Sequence, residues 1–360
     1  MNQRSVTLVT VSLVWLLSAC AAPRASDSTV EPRTVAPTPP PIPACRPEFE
    51  YVTTISGSRD RVEVGAVSKN AAFLAAYFQG VRVANDGTTE SIAFDRARDP
   101  AILQVEPASD REAWFLRREP WYFDGERATR VPVPDGITVD SMGAGGGQVW
   151  FGGKEGDAPA VLRRQDDRWE RVPFSIERFE HLAVTVSPDG TPYMVVAQVV
   201  PKPPAPPGTF QTLELRTETS LWKWAGSKWS NITPPRPFLG VAPGRNGILY
   251  VLHVDLMVQR YYAGSWSDVP VATPSAQATA EHVTPLGTDI DAAGRLWIPA
   301  VRTSLTGQSP DLWLLDGEAI RQVSLEGKMK SASEISSVRT PADGSIWATA
   351  DDHVFRGRCV

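Results

Sequence analysis

Histidine and cysteine are the residues in this sequence best suited to metal, nucleophilic or redox chemistry, and both are scarce. The 360 residues include four histidines, namely His181, His253, His282 and His353. None of them lies in a His-Glu-x-x-His motif or beside a cysteine pair at zinc-binding spacing. A Gly-x-Ser-x-Gly elbow, a phosphate-binding loop and a dinucleotide fingerprint are also missing from the sequence. The residue patterns therefore predict no catalytic residue, no cofactor and no metal site.

One acidic segment begins with the spacing of a calcium-binding loop. Asp289 and Asp291 supply its first two carboxylates. However, Ala293 stands at the fifth position, where an oxygen ligand belongs, and Ala300 stands where the bidentate glutamate belongs. Similar turns elsewhere in the chain lack these acids, so we interpret the segment as a hairpin turn.

The cysteines could support covalent chemistry of a different kind. The chain has three of them, Cys20, Cys45 and Cys359. With Cys20 set apart near the amino terminus, the other two bracket the rest of the chain, and in an oxidising compartment we expect them to form a disulfide. The alternative is that both remain unpaired and buried.

The amino terminus indicates which compartment the protein enters. Arg4 precedes an apolar run from Val6 to Leu17, and small residues follow it before Cys20. This order is typical of a secretory signal peptide, and the run is too short for a membrane-spanning helix of about 20 residues.

Leu17-Ser18-Ala19-Cys20 resembles the lipobox of bacterial lipoproteins. The resemblance implies that residues 1–19 are removed and that Cys20 carries the lipid that anchors the protein to the cell envelope. Ala21 stands where an inner-membrane retention signal has Asp, which favours the outer membrane if the source is Gram-negative. The alternative is an ordinary signal peptide that is cut nearby, at Ala22.

Residues 20–44 predict a proline-rich linker rather than a folded segment. They contain almost no large apolar side chain and several closely spaced prolines. Such a composition buries too little surface to fold and favours extended polyproline II geometry. The folded region is therefore predicted to cover residues 45–360.

The charge of the protein argues against polyanionic partners. Asp and Glu total 41 and Lys and Arg total 36, without a basic cluster. We therefore expect no nucleic acid partner and no direct binding to anionic lipid, and we expect a monomer.

A repeated unit occupies the predicted folded region. Each copy has a turn, a short apolar strand with an aromatic residue, a second strand, a tight hairpin turn and a final strand. The aromatic markers recur every 36 to 57 residues, at Phe73, Trp114, Trp150, Tyr193, Tyr250, Trp297 and Trp347. Hairpin turns follow six of them, at 86–87, 124–125, 166–167, 225–226, 263–264 and 316–317. Repeats of this length made of short strands are typical of β-propeller blades.

Seven markers predict an all-β propeller of seven blades. The last repeat lacks its final strand, and residues 45–52 could provide it, because a propeller must close its ring to avoid open sheet edges. Cys45 and Cys359 would then lie on neighbouring strands of one blade. We interpret the aromatic markers as packing between blades, and the glycine run 143–147 as a turn between two blades.

The copies Gly294-Arg295-Leu296-Trp297-Ile298 and Asp343-Gly344-Ser345-Ile346-Trp347-Ala348 resemble repeats of two-component-regulator-type sensor propellers and of streptogramin-lyase-like propellers. These short motifs are more specific for the fold than for a function. Streptogramin lyases use histidine and a divalent metal on one face of the ring, so the second resemblance makes His253 and His282 weak metal candidates. The residues around them match no lyase motif.

Three functions follow from these observations. We expect a non-catalytic, membrane-anchored lipoprotein that presents a propeller to a protein or glycan partner in the envelope. The alternative is a metal-dependent propeller lyase or hydrolase. A purely structural envelope component is the third possibility.

Overall fold

The structure is a computed structural model of the chain. It describes residues 39–55, 62–66, 68–76, 78–94, 101–165, 167–201, 215–253, 257–270, 282–304, 307–317 and 319–360. Of the two units into which the chain divides, the described residues belong to the second, Pro37–Val360. The predicted signal peptide, Cys20 and most of the predicted linker lie outside the described residues. Within those residues no helix has the length and apolar character needed to cross a membrane.

The second unit is a seven-bladed β-propeller in the part of the chain that the structure describes. Its first strand, β1 (Pro47–Thr54), belongs to the blade that closes the ring, and blades 1 to 6 follow it along the chain. Blade 1 consists of β2 (Val62–Ala66), β3 (Ala71–Ala76), β4 (Gln79–Ala84) and β5 (Thr89–Ile92). Blade 2 consists of β6 (Gln104–Pro107), β7 (Ala113–Leu116), β8 (Pro120–Phe123) and β9 (Ala128–Arg130). Blade 3 consists of β10 (Ile137–Gly145), β11 (Gln148–Glu155), β12 (Ala158–Gln165) and β13 (Arg168–Val172).

The second half of the ring repeats this order. Blade 4 consists of β14 (Phe179–Val186), β15 (Pro192–Pro201), β16 (Leu215–Trp224) and β17 (Trp229–Asn231). Blade 5 consists of β18 (Gly240–Pro243), β19 (Leu249–Leu252), β20 (Val258–Tyr262) and β21 (Ser265–Val269). Blade 6 consists of β22 (His282–Pro285), β23 (Asp289–Ile290), β24 (Leu296–Ser304), β25 (Gly307–Asp316) and β26 (Ala319–Gln322), and both β22 and β23 pair with β24. A one-turn helix, α1 (Gly327–Ser331), leads to the closing blade, which consists of β27 (Ile335–Arg339), β28 (Ser345–Ala350), β29 (His353–Cys359) and β1.

The predicted hairpin turns connect the third and fourth strands of the first six blades. At these turns the backbone adopts positive φ at Gly87 (85°), Gly125 (97°), Asp167 (62°), Gly226 (84°), Ala263 (49°), Gly264 (87°) and Gly317 (70°). Two-residue hairpins require this left-handed backbone, which Gly and Asp tolerate well. The partner residue Asp166 lies outside the described residues.

The closure of the ring is confirmed. Strand β1 pairs antiparallel with β29, from Pro47 opposite Cys359 to Thr54 opposite His353. A disulfide joins Cys45 to Cys359, with a Cα–Cα distance of 5.0 Å. The first and last strands therefore form one blade, and the disulfide locks the outermost strand of that blade.

The aromatic markers fill the spaces between successive blades, as predicted. Six of the seven are no more than 1% exposed, and Trp114 is 8% exposed. Trp150, for example, packs against Leu182, Val184 and Val186 of the next blade. An aromatic side chain that buries 150–250 Å² contributes about 4–6 kcal/mol before the cost in entropy. These side chains therefore hold the blades in a ring.

The interpretation of residues 143–147 as a turn between blades is wrong. Gly143 and Gly145 belong to β10, and the turn at 146–147 joins β10 to β11 within blade 3. A Cβ atom on Gly143 would lie 2.8 Å from the Cα atom of Thr185, and one on Gly145 would lie 2.2 Å from the carbonyl oxygen of Ser187. The glycines are needed because the first strands of blades 3 and 4 approach each other closely at this point.

Buried serines also join neighbouring blades near the axis. Ser141 donates a hydrogen bond to the Leu182 carbonyl at 3.1 Å and accepts one from the Val184 amide at 3.0 Å. Ser337 accepts a hydrogen bond from the Val64 amide at 2.9 Å across the seam between the closing blade and blade 1. The inner strands are therefore fixed by polar contacts as well as by the aromatic layer.

Candidate binding site in the central channel

The first strand of each blade lines the central channel, and the aromatic markers define one level within it. Each marker on a second strand pairs with one residue on the first strand of its blade. In blade order these partners are Gly65, Glu106, Gly143, Thr185, Ala242, Asp289 and Arg339. Three of the seven are charged, and they come from blade 2, blade 6 and the closing blade.

Arg339 is the cation at this level. Its guanidinium lies 3.3 Å from a carboxylate oxygen of Glu63, one blade further around the ring. Burial disfavours the charged form of Arg339, but the carboxylates of Asp289, Glu106 and Glu63 outweigh this effect and raise the pKa of Arg339. The guanidinium therefore stays charged and attracts all three carboxylates.

Asp289 is held in place by the next blade. The backbone N–H and the side-chain hydroxyl of Thr340 both donate hydrogen bonds to one of its carboxylate oxygens, at 2.6 and 2.8 Å. Burial raises the pKa of Asp289, while Arg339 and the two hydrogen bonds from Thr340 oppose that rise. The carboxylate thus links blade 6 to the closing blade.

Glu106 differs from the other carboxylates of this cluster. Its carboxyl group accepts no hydrogen bond from the residues that the structure describes, and its side chain is half-buried in the wall of the channel. Burial raises the pKa of Glu106 to about 8, Arg339 opposes that rise, and Glu63 and Asp289 add to it. Because part of the side chain remains accessible from the lumen, solvent or a ligand can reach it.

Two connected cavities form the described channel. One, of about 330 Å³, is lined at the marker level by Glu106, Thr185, Ala242, Asp289 and Arg339, among other residues. The other, of about 470 Å³, lies toward the start of the first strands. Residues that line both cavities are Val241, Thr288 and Arg339. The two volumes are therefore parts of one lumen. We call the cavity of about 470 Å³, toward the start of the first strands, the channel mouth.

Apolar side chains surround the channel mouth. Its lining includes Ile102, Leu103, Val241 and Leu286, with Glu63 among them as a charged residue. Leu103 is 53% exposed, and Leu239, which precedes the mouth residue Gly240, is 46% exposed. The entrance to the acidic lumen is thus surrounded by a partly exposed apolar collar, made of Ile102, Leu103, Leu239, Val241 and Leu286.

The exposed apolar residues of the collar lie at the same end of the ring. The Leu103 amide donates to the carbonyl of Leu116, and the Leu239 amide donates to the carbonyl of Leu252, both at 2.7 Å. Each leucine therefore directly precedes the first strand of its blade. Phe78, in the turn between β3 and β4, is at the same end of blade 1 and is 57% exposed.

Two long hairpins extend past this end of the ring. In blade 4, β15 and β16 pair up to Pro201 and Leu215, and in blade 6, β24 and β25 pair up to Ser304 and Gly307. The equivalent strands β19 and β20 of blade 5 end at Leu252 and Val258. At about 3.4 Å per residue, the long hairpins extend roughly 15–20 Å further than those of blade 5. Blade 5, which carries Leu239, therefore lies between two blades whose hairpins extend further at this end.

The two histidine candidates are in different situations. His253 is 4% exposed, its Nδ1 lies 2.6 Å from the Pro237 carbonyl oxygen, and its Nε2 lies 3.1 Å from Oε1 of Gln259. Protein groups thus occupy both of its ring nitrogens. His282 pairs through its backbone with Thr303, and its side chain lies outside the described atoms. Within the described part of the chain, no group of three or more His, Cys, Asp or Glu residues could hold a metal ion.

The acidic segment 289–300 forms a hairpin turn, as its sequence suggested. Asp291 accepts hydrogen bonds from the backbone N–H groups of Ala293 and Arg295, at 2.9 and 3.0 Å. Its other oxygen accepts bonds from the Arg295 guanidinium at 2.6 Å and from the Trp297 indole at 3.2 Å. Both oxygens of this carboxylate are therefore engaged in hydrogen bonds that hold the turn and the marker Trp297 in place.

Sequence reasoning missed the charged level of the channel, although a signal for it was present. Glu106, Asp289 and Arg339 each lie eight residues ahead of the marker in their own blade, namely Trp114, Trp297 and Trp347. Because the turn between the first and second strands keeps nearly the same length in each blade, a fixed offset from the marker identifies a fixed level in the channel.

Solved structures with the same fold share little sequence with this chain. A streptogramin B lyase matches with a TM-score of 0.59 and 12% identity, over 87% of this chain and 98% of the lyase. YCF48 bound to a D1 peptide matches with a TM-score of 0.58 and 13% identity, over 88% of this chain and 99% of that protein. The extracellular domain of the putative hybrid two-component system BT4673 from B. thetaiotaomicron matches with a TM-score of 0.54 and 12% identity, over 86% of this chain and 39% of that one. These are likenesses of fold.

The propeller resembles sensor and binding proteins as well as an enzyme, so the fold alone does not select a function. No protein-family model and no curated protein matches this sequence. The function must therefore be argued from the channel and its mouth.

Proposed function

We propose that this chain is an exported, lipid-anchored binding protein that receives a segment of an envelope protein at the channel mouth and catalyses no reaction. The observation that carries the proposal is the apolar collar, where Leu103 and Leu239 are 53% and 46% exposed beside a cavity that leads into the lumen. Exposed apolar side chains around a concave opening are typical of a site that a partner covers.

The collar favours a protein partner over a glycan. Sugar rings bind well to flat, exposed aromatic faces, which tryptophan offers best. Every described tryptophan is buried or half-buried, and the exposed large side chains beside the cavity are those of leucine. Phe78, the exposed aromatic residue at this end of the ring, does not line the cavity. Aliphatic side chains provide apolar contact for the side chains of a peptide but do not stack on sugar rings.

The contacts in the channel favour binding over catalysis. Asp289 is bonded to Thr340, Arg339 is paired with Glu63, and both nitrogens of His253 are engaged by protein groups. A general base or a metal ligand needs a lone pair that can reach a substrate or an ion. In these three residues the polar atoms are instead engaged in contacts with other groups of the propeller.

The export and the lipid anchor rest on the signal peptide, the lipobox and the disulfide. A disulfide is stable in oxidising compartments outside the cytoplasm. The predicted linker leads into β1, the outermost strand of the closing blade. Attachment at the outer edge of the ring would leave the channel mouth unobstructed.

A site-specific photo-crosslinking experiment tests the binding role. A photoreactive phenylalanine analogue replaces Leu103 or Leu239 at the mouth, and Tyr51, which is 44% exposed on β1, serves as the control position. We expect both mouth positions to crosslink to the same envelope protein in living cells and the control position to give no such adduct. Equal labelling from all three positions, or none from the mouth, would refute the proposal.

The anchor has its own test. Replacing Cys20 with Ala should abolish the incorporation of a labelled fatty acid and move the protein from the membrane fraction to the soluble exported fraction. If the variant remains in the membrane fraction, the lipid is not what anchors the protein.

A further inference from the structure

We infer that the partner segment is an extended peptide that places a basic side chain, Lys or Arg, in the channel beneath the apolar collar. This inference rests on the proposed binding function and specifies the chemistry of its ligand. The charge of the lumen, the position of the carboxylates and the apolar character of the mouth together support it.

The charge of the lumen favours a cation. The carboxyl groups of Glu63, Glu106 and Asp289 face one guanidinium, that of Arg339. Arg339 pairs with Glu63 at 3.3 Å, and Thr340 bonds Asp289. Glu106 remains as a lumen carboxyl group that no described residue bonds, so an incoming ammonium or guanidinium group would provide the partner that it lacks.

The order of groups along the channel matches the shape of a basic side chain. Leu103 and Leu286 line the mouth, Glu63 lines the same cavity, and Glu106 lines the deeper one. Lys and Arg have an apolar stem and a charged head, and they bury the stem against apolar surface. A stem within the collar and a head near Glu63 and Glu106 would satisfy both parts of the site.

The same features disfavour two other ligands. A free metal ion would leave the leucines of the collar uncovered, and no described group of three metal-binding side chains surrounds a single point. An anionic peptide would have to separate Arg339 from Glu63 and approach Glu106 and Asp289. Like charges placed together in this way oppose binding.

Three pools of fluorescently labelled eight-residue peptides test the inference on the purified full chain. Every peptide is acetylated and amidated, the fourth position is Lys, norleucine or Glu, and the other positions are randomised among Gly, Ser, Ala and Leu. Fluorescence anisotropy at pH 9, where Glu106 with its pKa of about 8 is ionised, should show that the Lys pool binds about tenfold more tightly than the norleucine pool and that the Glu pool binds weakest. The preference for Lys should decrease as salt is raised from 50 to 300 mM, because salt screens the charges.

A matched pair of variants assigns the preference to the channel. At pH 9, above the pKa of Glu106, Glu106→Gln keeps the shape of the side chain and removes its charge, so it should weaken the Lys pool about tenfold and leave the norleucine pool unchanged. Glu126→Gln is the control, because it makes the same change at an exposed turn of the same blade. A cooperative thermal transition and an unchanged circular dichroism spectrum would show that both variants are folded.

The outcomes separate this inference from the proposed function. A preference for the Glu pool, equal binding of all three pools, or binding of none would overturn the inference. If crosslinking at positions 103 and 239 persists in any of these cases, the mouth still binds a partner and only the basic-peptide ligand is wrong. If crosslinking also fails, the proposed function fails with it.

Discussion

The disulfide at the seam of the ring leads to the most quantitative prediction. Cys45 and Cys359 are separated by 314 positions, so their bond restricts almost the whole propeller sequence in the unfolded state. The chain-entropy relation gives about 5–6 kcal/mol for a loop of this length at 25 °C. Replacing both cysteines with Ala should therefore destabilise the protein mainly through its unfolded state.

The native contacts at the seam indicate that the strand would still pair after this change. Strand β1 keeps its backbone pairing with β29, and Glu50 keeps its ion pair with Arg356. Cys45 is 3% exposed within an apolar cluster, where Ala loses only the contacts of the sulfur atom. The loss of stability should thus approach the entropic figure, reduced by any structure that persists in the denatured chain.

Urea unfolding followed by tryptophan fluorescence measures this effect. With an m-value of about 3 kcal/mol/M, the midpoint of the double variant should fall by about 1–2 M relative to the oxidised wild type. Wild-type protein treated with a thiol reductant should behave like the variant. Glu50→Gln, which removes an exposed ion pair and retains the disulfide, should cost less than about 1 kcal/mol.

Hydrogen exchange separates local opening from global unfolding at the seam. Amides of β1 should exchange faster in the double variant than in the wild type, because β1 is an edge strand that pairs with β29 alone. A midpoint within about 0.3 M of the oxidised wild type, with unchanged exchange in β1, would refute the reasoning that the disulfide secures the ring.

Three further predictions concern the inner strands. Because burial raises the pKa of Glu106 from 4.5 to about 8, the folded state holds an extra proton between these values, and stability is lost as pH rises through that window. Glu106→Gln should therefore raise the free energy of unfolding by about 2 kcal/mol at pH 9 and leave it nearly unchanged at pH 4; equal effects at both values would contradict this. Ser337→Ala should cost about 1–3 kcal/mol in urea unfolding, because the buried Val64 amide loses its acceptor, whereas a neutral result would indicate that another group replaces it. Gly153→Ala should cost at least about 2 kcal/mol, because its Cβ would lie 1.9 Å from the Thr138 carbonyl oxygen; the control Gly156→Ala tests backbone strain alone, since a Cβ there meets no atom within 4 Å.

Much of the fold could be predicted from the sequence, because a propeller is a local pattern repeated. The turn, the marker strand and the Asp-Gly hairpin lie within one blade, so each copy, such as that around Trp297 and Asp316, can be recognised by itself. The closing strand followed from the final repeat, which lacks its fourth strand. Strand β1 fills that place beside β29.

The candidate site was harder to predict, because its parts come from different blades. The eight-residue offset from each marker places Glu106, Asp289 and Arg339 at one level, but it does not give the contacts between them, since these residues are far apart along the chain. The glycine run at 143–147 was misinterpreted for a related reason. Its small residues serve a close contact with blade 4 rather than a turn between blades.

The sequence by itself determined the repeat, the number of blades and the cysteine pair, because each depends on residue types at short or regular spacing. Only the tertiary structure decided which of the channel charges pair, which carboxyl group lacks a hydrogen-bond partner, and which leucines stand exposed at the channel mouth. These properties arise when seven separate strands meet around one axis. Their distances depend on how the blades pack, and no local pattern specifies that packing.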